Sequence, residues 1–437
     1  MIPYNIFPWT LGAVCREWRT IAWTDPRIWT HPNIRIEGYR ALDIRIQLAT
    51  EWIQRSLSLP LSVHLKIGFN YADADPVEIY DLFDVINKNS YRWYSLDLVG
   101  PSHMLTFLDS SSCASSPLRE LRVSTTLKHV NFRCLSQIKP QIVKLFQTHL
   151  NPITLNWINT TSIFAFPLLL NDVFHILRNA PNLLSGLFAD ISLPGARTIT
   201  EDYNPPPIVH PLIESLQLGF SVVGCEERLL DNITFPALKN FTIHRKQGER
   251  RPVDHLSTFL VRSKAELASF NTGGSDFASD DLIRLAALMP SLNTLHVVNN
   301  DEAQEVPLDD FFRSFSRHLS SESDDTPLAL LPALQKIHIY VYGAFPWRFI
   351  LGLLCPLSKD GDSCRRPLES IKVEIRDVEE LPYIEHDIIS RLAEFASAVK
   401  FDLTACVGCI HHDVYQLSWD RFKEKANSPQ GLSQIVA

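Results

Sequence analysis

A short core, apolar-x-x-apolar-x-apolar, recurs along this chain and restricts the folds open to it. Clear copies are Leu118/Leu121/Val123, Leu238/Phe241/Ile243, Leu292/Leu295/Val297, Leu334/Ile337/Ile339 and Leu368/Ile371/Val373, each with a proline one or two residues before its first position. Ile213/Leu216/Leu218 is another. Weaker copies fall at Trp93/Leu96/Leu98, Leu150/Ile153/Leu155, Leu184/Leu187/Ala189, Leu267/Phe270/Thr272 and Ala398/Phe401/Leu403, giving an irregular period of about thirty residues. The last two apolar positions of a copy are two apart, so they share one face of a short strand; the first anchors the turn leading in.

Between many copies lies a helical period. Ser279-Asp280-Asp281 caps a predicted helix whose Leu282, Ile283, Leu285, Ala286 and Met289 form an apolar stripe. Similar stripes mark Asp254 to Leu267, Asn171 to Arg178, Asp309 to Leu319 and Tyr383 to Phe395. One helix and one strand cannot bury their apolar faces alone, whereas stacked neighbours bury them by building a parallel sheet with helices outside. The expected fold class is therefore α/β, a solenoid over residues 91–415. An ordinary α/β domain whose strands begin Pro-x-Leu is the competing reading. The core resembles the leucine-rich repeat, Leu-x-x-Leu-x-Leu-x-x-Asn/Cys-x-Leu, over the first half of that family's pattern. Asn299 and Cys406 fall near its polar position in two units.

Of 437 residues, 45% are hydrophobic and 21% charged, enough apolar material for a continuous core and too little charge for wholesale disorder. Lys and Arg number 41 against 49 Asp and Glu, a net charge of -8, which is opposite to a nucleic-acid footprint. No apolar run reaches the length of a membrane span and no positively charged leader opens the chain, so a soluble protein of cytoplasm or nucleus is expected, without a membrane partner. Its 8 cysteines are scattered, as expected for reduced thiols.

The segment Leu11 to Trp29 is the most informative single stretch. Val14, Trp18, Ile21 and Ala22 share one helical face, Arg16, Glu17 and Arg19 lie mostly off it, and Pro26 stops the helix ahead of a buried Trp29. The arrangement Val14-Cys15, Trp18-Arg19, Ile21-Ala22, Pro26 and Trp29 resembles the second half of an F-box, particularly the F-box-like families expanded in mushroom-forming fungi. A helix over Leu42 to Leu57 and a strand over Pro60 to Ile67 fit the places that follow in those families, so the resemblance covers about the first 70 residues. The matching part is preceded by Met1 to Thr10, so the opening Leu-Pro-x-Glu-Ile-Leu type helix of the box is expected to be largely absent. The resemblance implies docking on the Skp-type adaptor of a cullin–RING ubiquitin ligase through Val14, Trp18 and Ile21. Core packing is the other reading of Trp18, Trp23 and Trp29.

Motifs that carry chemistry are few. Cys406-Val-Gly-Cys409-Ile-His411-His412-Asp413 offers thiolates and imidazoles, but its two histidines stand too close behind Cys409 for a closed tetrahedron, and the end of a strand with its turn is expected instead. Gly361-Asp-Ser-Cys364 echoes an esterase nucleophile block without the buried strand such a serine needs, so a surface insertion is expected. No phosphate-cradling glycine motif occurs among the 16 glycines. Ser110 to Ser116 and Ser320 to Thr326 read as polar loops between units.

The expected organisation is a partial F-box over 1–36, connecting helices and a first strand over 37–90, the solenoid over 91–415 and a polar tail over 416–437. The expected function is a substrate receptor of a Skp–cullin–F-box ligase, with no enzymatic activity and no cofactor or metal. Exposed strand positions such as Arg122, Lys239 and His296 would hold an unknown target protein. The alternative is a repeat scaffold without adaptor contact.

Overall fold

The computed structural model describes residues 8–36, 42–68, 79–105, 107–108, 118–125, 138–147, 155–193, 206–245, 253–273, 277–298, 309–315, 330–343, 345–354, 365–376, 378–408 and 410–426. The chain divides into two compact units, Met1–Asn204 and Pro205–Ala437. Each is α/β with a mostly parallel sheet.

In the first unit the strands Asn33–Ile36, Leu61–Ile67, Trp93–Gly100, Glu120–Thr125, Ile142–Phe146, Ser162–Phe166 and Ser185–Ser192 lie side by side in that order, every neighbouring pair parallel. Alternate residues face the core, so Val63 and Leu65, Leu96 and Leu98, Leu121 and Val123, and Val143 and Leu145 are buried while their neighbours are not. Intervening helices close that core with Trp52 and Ile53 of Leu42–Arg55, Phe83 and Ile86 of Tyr80–Lys88, and Val173, Phe174 and Leu177 of Leu170–Asn179. The last of these starts where the Asp172 carboxylate accepts from the Leu169 N–H at 3.3 Å and ends before Pro181.

In the second unit Ser215–Phe220, Asn240–Arg245, Ser269–Gly273, Thr294–Val298, Lys336–Tyr342, Ser370–Arg376 and Lys400–Val407 repeat the parallel pattern, and Ile410–Asp413 turns back antiparallel on the last. Helices Val253–Ser263, Ser279–Ala287 and His386–Phe395 pack their apolar stripes inward.

One backbone device recurs at the entry to the strands. Two successive N–H groups donate to a single carbonyl of the preceding unit: Lys239 and Asn240 to Glu214, Ala268 and Ser269 to Lys239, Asn293 and Thr294 to Ala268, Gln335 and Lys336 to Asn293. In the first unit Gln141 and Ile142 use Arg119, Thr161 and Ser162 use Gln141, and Leu184 and Ser185 use Thr161. Turn amides that would otherwise be orphaned are thus satisfied by the neighbour. Two buried arginines and a half-buried one add side-chain ties over the same interval. Arg92 Nε donates to the Leu59 carbonyl at 2.8 Å, Arg262 to the carbonyls of Leu230 and Ile233, and Arg366 Nη2 to that of Leu330 at 3.0 Å.

The strand pattern departs from expectation in four places. The core triplet near residue 184 is Leu183/Gly186/Phe188, one residue earlier than Leu184/Leu187/Ala189; Leu184 is 44% exposed because it occupies the donor position of the turn, where Lys239 and Asn293 stand elsewhere. Leu155 lies outside any strand, and Leu150 and Ile153 lie outside the described residues. Strands instead form at Ile142–Phe146 and Ser162–Phe166, where the buried anchors are Pro140 and Thr160, and the Thr160 hydroxyl donates to the Pro140 carbonyl at 2.9 Å. At the last parallel strand Val399, not the exposed Ala398, is the buried anchor.

Boundaries shift as well. The sheet begins at Asn33–Ile36, inside the segment 1–36 expected as a partial, helical F-box, because Ile34 and Ile36 alternate with Asn33 and Arg35 and pair with Leu61–Ile67. The expected tail of 416–437 starts inside a helix, Val414–Ala426, which buries Val414 and Ser418. Ala278, rather than Ser279, is the N-cap of the helix Ser279–Ala287. The helix expected over Asp309 to Leu319 is observed at Asp309–Ser314; residues 316–319, like the loops around Ser110 to Ser116 and Ser320 to Thr326, lie outside the described residues.

Candidate functional site

The amino-terminal segment folds as two short helices, Pro8–Gly12 and Arg16–Thr24, followed by a turn of 3-10 helix, Pro26–Trp29. The Cys15 Sγ accepts from the Trp18 N–H at 3.5 Å and caps the second helix; Asp25 ends it and accepts from the Arg27 N–H to start the turn. Four tryptophans fix this arrangement. Trp29 is 1% exposed, donates from Nε1 to the Ala22 carbonyl at 2.6 Å and meets Trp9, Trp23 and Trp52 at centroid distances of 6.4, 5.4 and 6.3 Å. The Arg55 guanidinium, from helix Leu42–Arg55, covers Trp23 and Trp29 at 4.7 and 5.1 Å.

Anchoring through Ala22 and Trp29 turns another face of the helix outward. Val14 is 66% exposed, Trp18 51% and Ile21 57%, and the spacing of Trp18 and Ile21 puts them on neighbouring turns of one face. Of the three tryptophans that suited core packing, Trp29 fills a core, Trp18 does not, and Trp23 lies between at 41% exposure. Val14, Trp18 and Ile21 are thus left mostly open to solvent.

The sheets supply a second kind of surface. In the first unit the row Asn33, His64, Asp97, Arg122, Lys144, Phe164 and Leu187 runs in register across the strands on the face opposite the core. Beside it runs Arg35, Lys66, Val99, Ser124, Phe146 and Phe166. Asp97 shares a 2.9 Å hydrogen bond with His64 and pairs with Arg122 at 3.7 Å, whose guanidinium lies over Phe146 at 4.8 Å. Lys144 holds Glu120 at 2.7 Å.

In the second unit the matching row is Gln217, Thr242, Asn271, His296, His338, Lys372 and Asp402. His296 and His338 stack at 4.2 Å with an interplanar angle of 6°. Among the described residues, no hydrogen-bond partner meets their enclosed Nε2 atoms or the Asn271 Oδ1. Burial, with His338 and Lys372 adding positive charge, pushes the His296 imidazole down to about 4, and burial with Lys372 lowers His338 too. Both rings are neutral near pH 7. Glu374 next to them is ionised although burial opposes it, because Arg376 donates two hydrogen bonds, at 3.1 and 2.9 Å, and Lys372 sits at 3.5 Å.

Arg122 and His296 therefore hold equivalent places on open sheet faces, one in each unit. Lys239 does not. It sits in the turn before its strand, paired with Glu214 at 3.0 Å, because its N–H belongs to the turn device described above. Sequence reasoning missed Phe146 and Phe164, and the stacked partner His338; alternation outward from each core position is the signal that finds them.

Among the described residues, the side chains singled out for chemistry lie apart from one another outside the last hairpin. Cys406 faces His411 across the hairpin formed by the last two strands, with Gly408 at a φ of +55° in its turn, where a side chain would be strained, and Cys409 lies outside the described residues. Among the described residues no three His, Cys, Asp or Glu side chains gather as metal ligands. Burial pushes the Cys225 thiol up to about 11, away from nucleophilic use. Residues 361–364, with the esterase-like block, lie outside the described residues, and no described helix is long and apolar enough to cross a membrane. Comparison with known proteins finds no family model that matches this chain and no curated relative.

Proposed function

We propose that this chain is an F-box-like substrate receptor. The helix Arg16–Thr24 docks on the Skp-type adaptor of a cullin–RING ubiquitin ligase, and the helix-turn-strand units stack as a leucine-rich-repeat-like solenoid whose open sheet face holds a target protein. Its partners are proteins, in cytoplasm or nucleus, and no residue performs covalent chemistry. One observation carries the reading: Trp18 and Ile21, on a helix held from its other side by Trp29, and Val14 in the turn just before that helix are all more than half exposed. Monomeric soluble proteins seldom present such a patch unless something covers it.

Amide hydrogen exchange of the full chain with and without the adaptor tests it. Adaptor docking slows exchange over residues 14–24 and leaves the strands of the second unit unchanged. Exchange unaltered over 14–24 at saturating adaptor overturns the docking reading and leaves the second one, a repeat scaffold that binds proteins without a ligase.

A further inference from the structure

Exposed apolar side chains are concentrated around the amino-terminal helix. Among the described residues 22 large apolar side chains are exposed, and seven of them fall within residues 14–57, more than in any other stretch of that length. Within helix Arg16–Thr24 every residue but Ala22 is exposed, so little of its circumference is packed. At 3.6 residues per turn Trp23 stands about 160° round the helix from Ile21, and it too is 41% exposed. The helix thus offers apolar side chains on two sides. On the Trp23 side it meets Leu42–Arg55, whose Arg55 lies over Trp23 at 4.7 Å. Arg55 ends a stripe along the outward face of that second helix, Ile44, Leu48, Glu51 and Arg55 at i, i+4, i+7 and i+11. The opposite face is buried through Leu42, Ala49, Trp52 and Ile53, whereas Ile44 is 58% and Leu48 38% exposed. Glu51 and Arg55 neutralise each other at 2.6 Å, so the stripe offers apolar contact without net charge.

We infer that the adaptor which docks on Trp18 and Ile21 reaches round helix Arg16–Thr24 and also seats on the outward face of helix Leu42–Arg55, through Ile44 and Leu48. The inference rests on the docking reading of the amino-terminal helix and adds the second half of that interface. Area argues for it. A stable contact between two proteins takes about 800 Å² from each partner. Val14, Trp18 and Ile21, partly covered as they are, fall short of that, since even a whole tryptophan contributes at most about 250 Å². Trp23 and the stripe that Arg55 joins to it extend the apolar surface on one packed piece, because Trp52 of the second helix meets Trp29 at 6.3 Å and Trp29 is hydrogen-bonded to Ala22 of the first. Elements already fixed to one another add no ordering cost when a partner covers both. The chemistry of the covering surface follows. It is apolar where it meets Ile44 and Leu48, because a charge set there would be buried without a counter-ion, Glu51 and Arg55 being satisfied by each other.

Titration calorimetry of the purified full chain with the Skp-type adaptor tests this, together with amide hydrogen exchange of the parent over residues 42–51 in the same complex. Ile44→Ser/Leu48→Ser is expected to weaken binding about tenfold or more at an unchanged unfolding midpoint. Val261→Ser, at a position of the second unit as exposed as Ile44, is expected to leave the affinity unchanged. Exchange over 42–51 is expected to slow when the adaptor binds. If the double variant unfolds more readily than the parent, exchange in the parent decides alone. Unchanged affinity in the double variant and unchanged exchange over 42–51, while Trp18→Ala/Ile21→Ala weakens binding, overturns the inference and leaves the docking reading intact. An equal loss for Val261→Ser overturns it as well, since the effect then belongs to no particular face. Absence of binding by the parent overturns the inference and the docking reading together.

Discussion

Trp18 and Trp29 show how one residue type serves opposite ends within a dozen positions. Both sit in the box-like motif, yet Trp29 hydrogen-bonds to Ala22 inside a ring of tryptophans and Trp18 faces outward. Trp29→Ala is therefore expected to cost about 3 to 5 kcal/mol of stability. Trp18→Ala should stay within about 0.5 kcal/mol of the parent. Denaturant midpoints of the two variants check the contrast, and equal losses would place Trp18 in the core. The sequence reading had Trp29 buried but left Trp18 between docking surface and core, because that choice depends on which side of its helix the neighbouring Leu42–Arg55 and its Arg55 cover. His296 makes a second prediction. Its folded-state value, about 4, lies below the ordinary 6.5, so between those values the unfolded chain holds the proton and the folded chain does not. Stability is complete above about pH 6.5 and falls as the pH drops towards 4. Unfolding midpoints at pH 7 and pH 5 should differ less for His296→Gln than for the parent; an identical difference would mean that the stacked pair titrates normally.

Among the elements, most legible strands have leucine or isoleucine as their turn anchor, as at Leu238, Leu292 and Leu334, and one has Trp93. Where Pro140 or Thr160 takes that place the strand was not legible, although the turn closes on the same paired backbone donors. Near residue 184 two adjacent leucines left the register ambiguous, and a slip of one residue exchanges the two sides of a strand. Leu183→Ala is expected to cost about 2 to 5 kcal/mol and Leu184→Ala less than about 0.5 kcal/mol. Chemical denaturation of the two variants decides between the registers, the reverse order belonging to the Leu184 register. Helices such as Val253–Ser263, Ser279–Ala287 and His386–Phe395 were legible from their apolar stripes, whereas Tyr80–Lys88, Cys225–Asn232 and Arg348–Leu353 were not marked, nor was Val414–Ala426, whose composition reads as polar because Val414 and Ser418 carry its burial. The tie arginines Arg92, Arg262 and Arg366 give no sequence signal, since nothing local tells that an arginine will meet carbonyls in the unit before it.

At the scale of the whole molecule, each unit pairs an apolar core face with an open face of half-exposed side chains, and the first unit carries in addition the exposed helix Arg16–Thr24. The α/β class and the parallel pairing were legible from the repeated core, since strands alternating with helices leave few other arrangements. The open faces were legible only at isolated positions, Arg122 and His296, because their character comes from rows assembled across strands about thirty residues apart. That assembly is what a binding protein needs, and the outward Val14, Trp18 and Ile21 are what joins it to a larger machine in the proposed account. The most direct measurement is a pull-down of the purified chain with the Skp-type adaptor, run beside a Trp18→Ala/Ile21→Ala variant of unchanged unfolding midpoint. The account predicts adaptor retained by the parent and lost by the variant. Retention by both, or by neither, would contradict it.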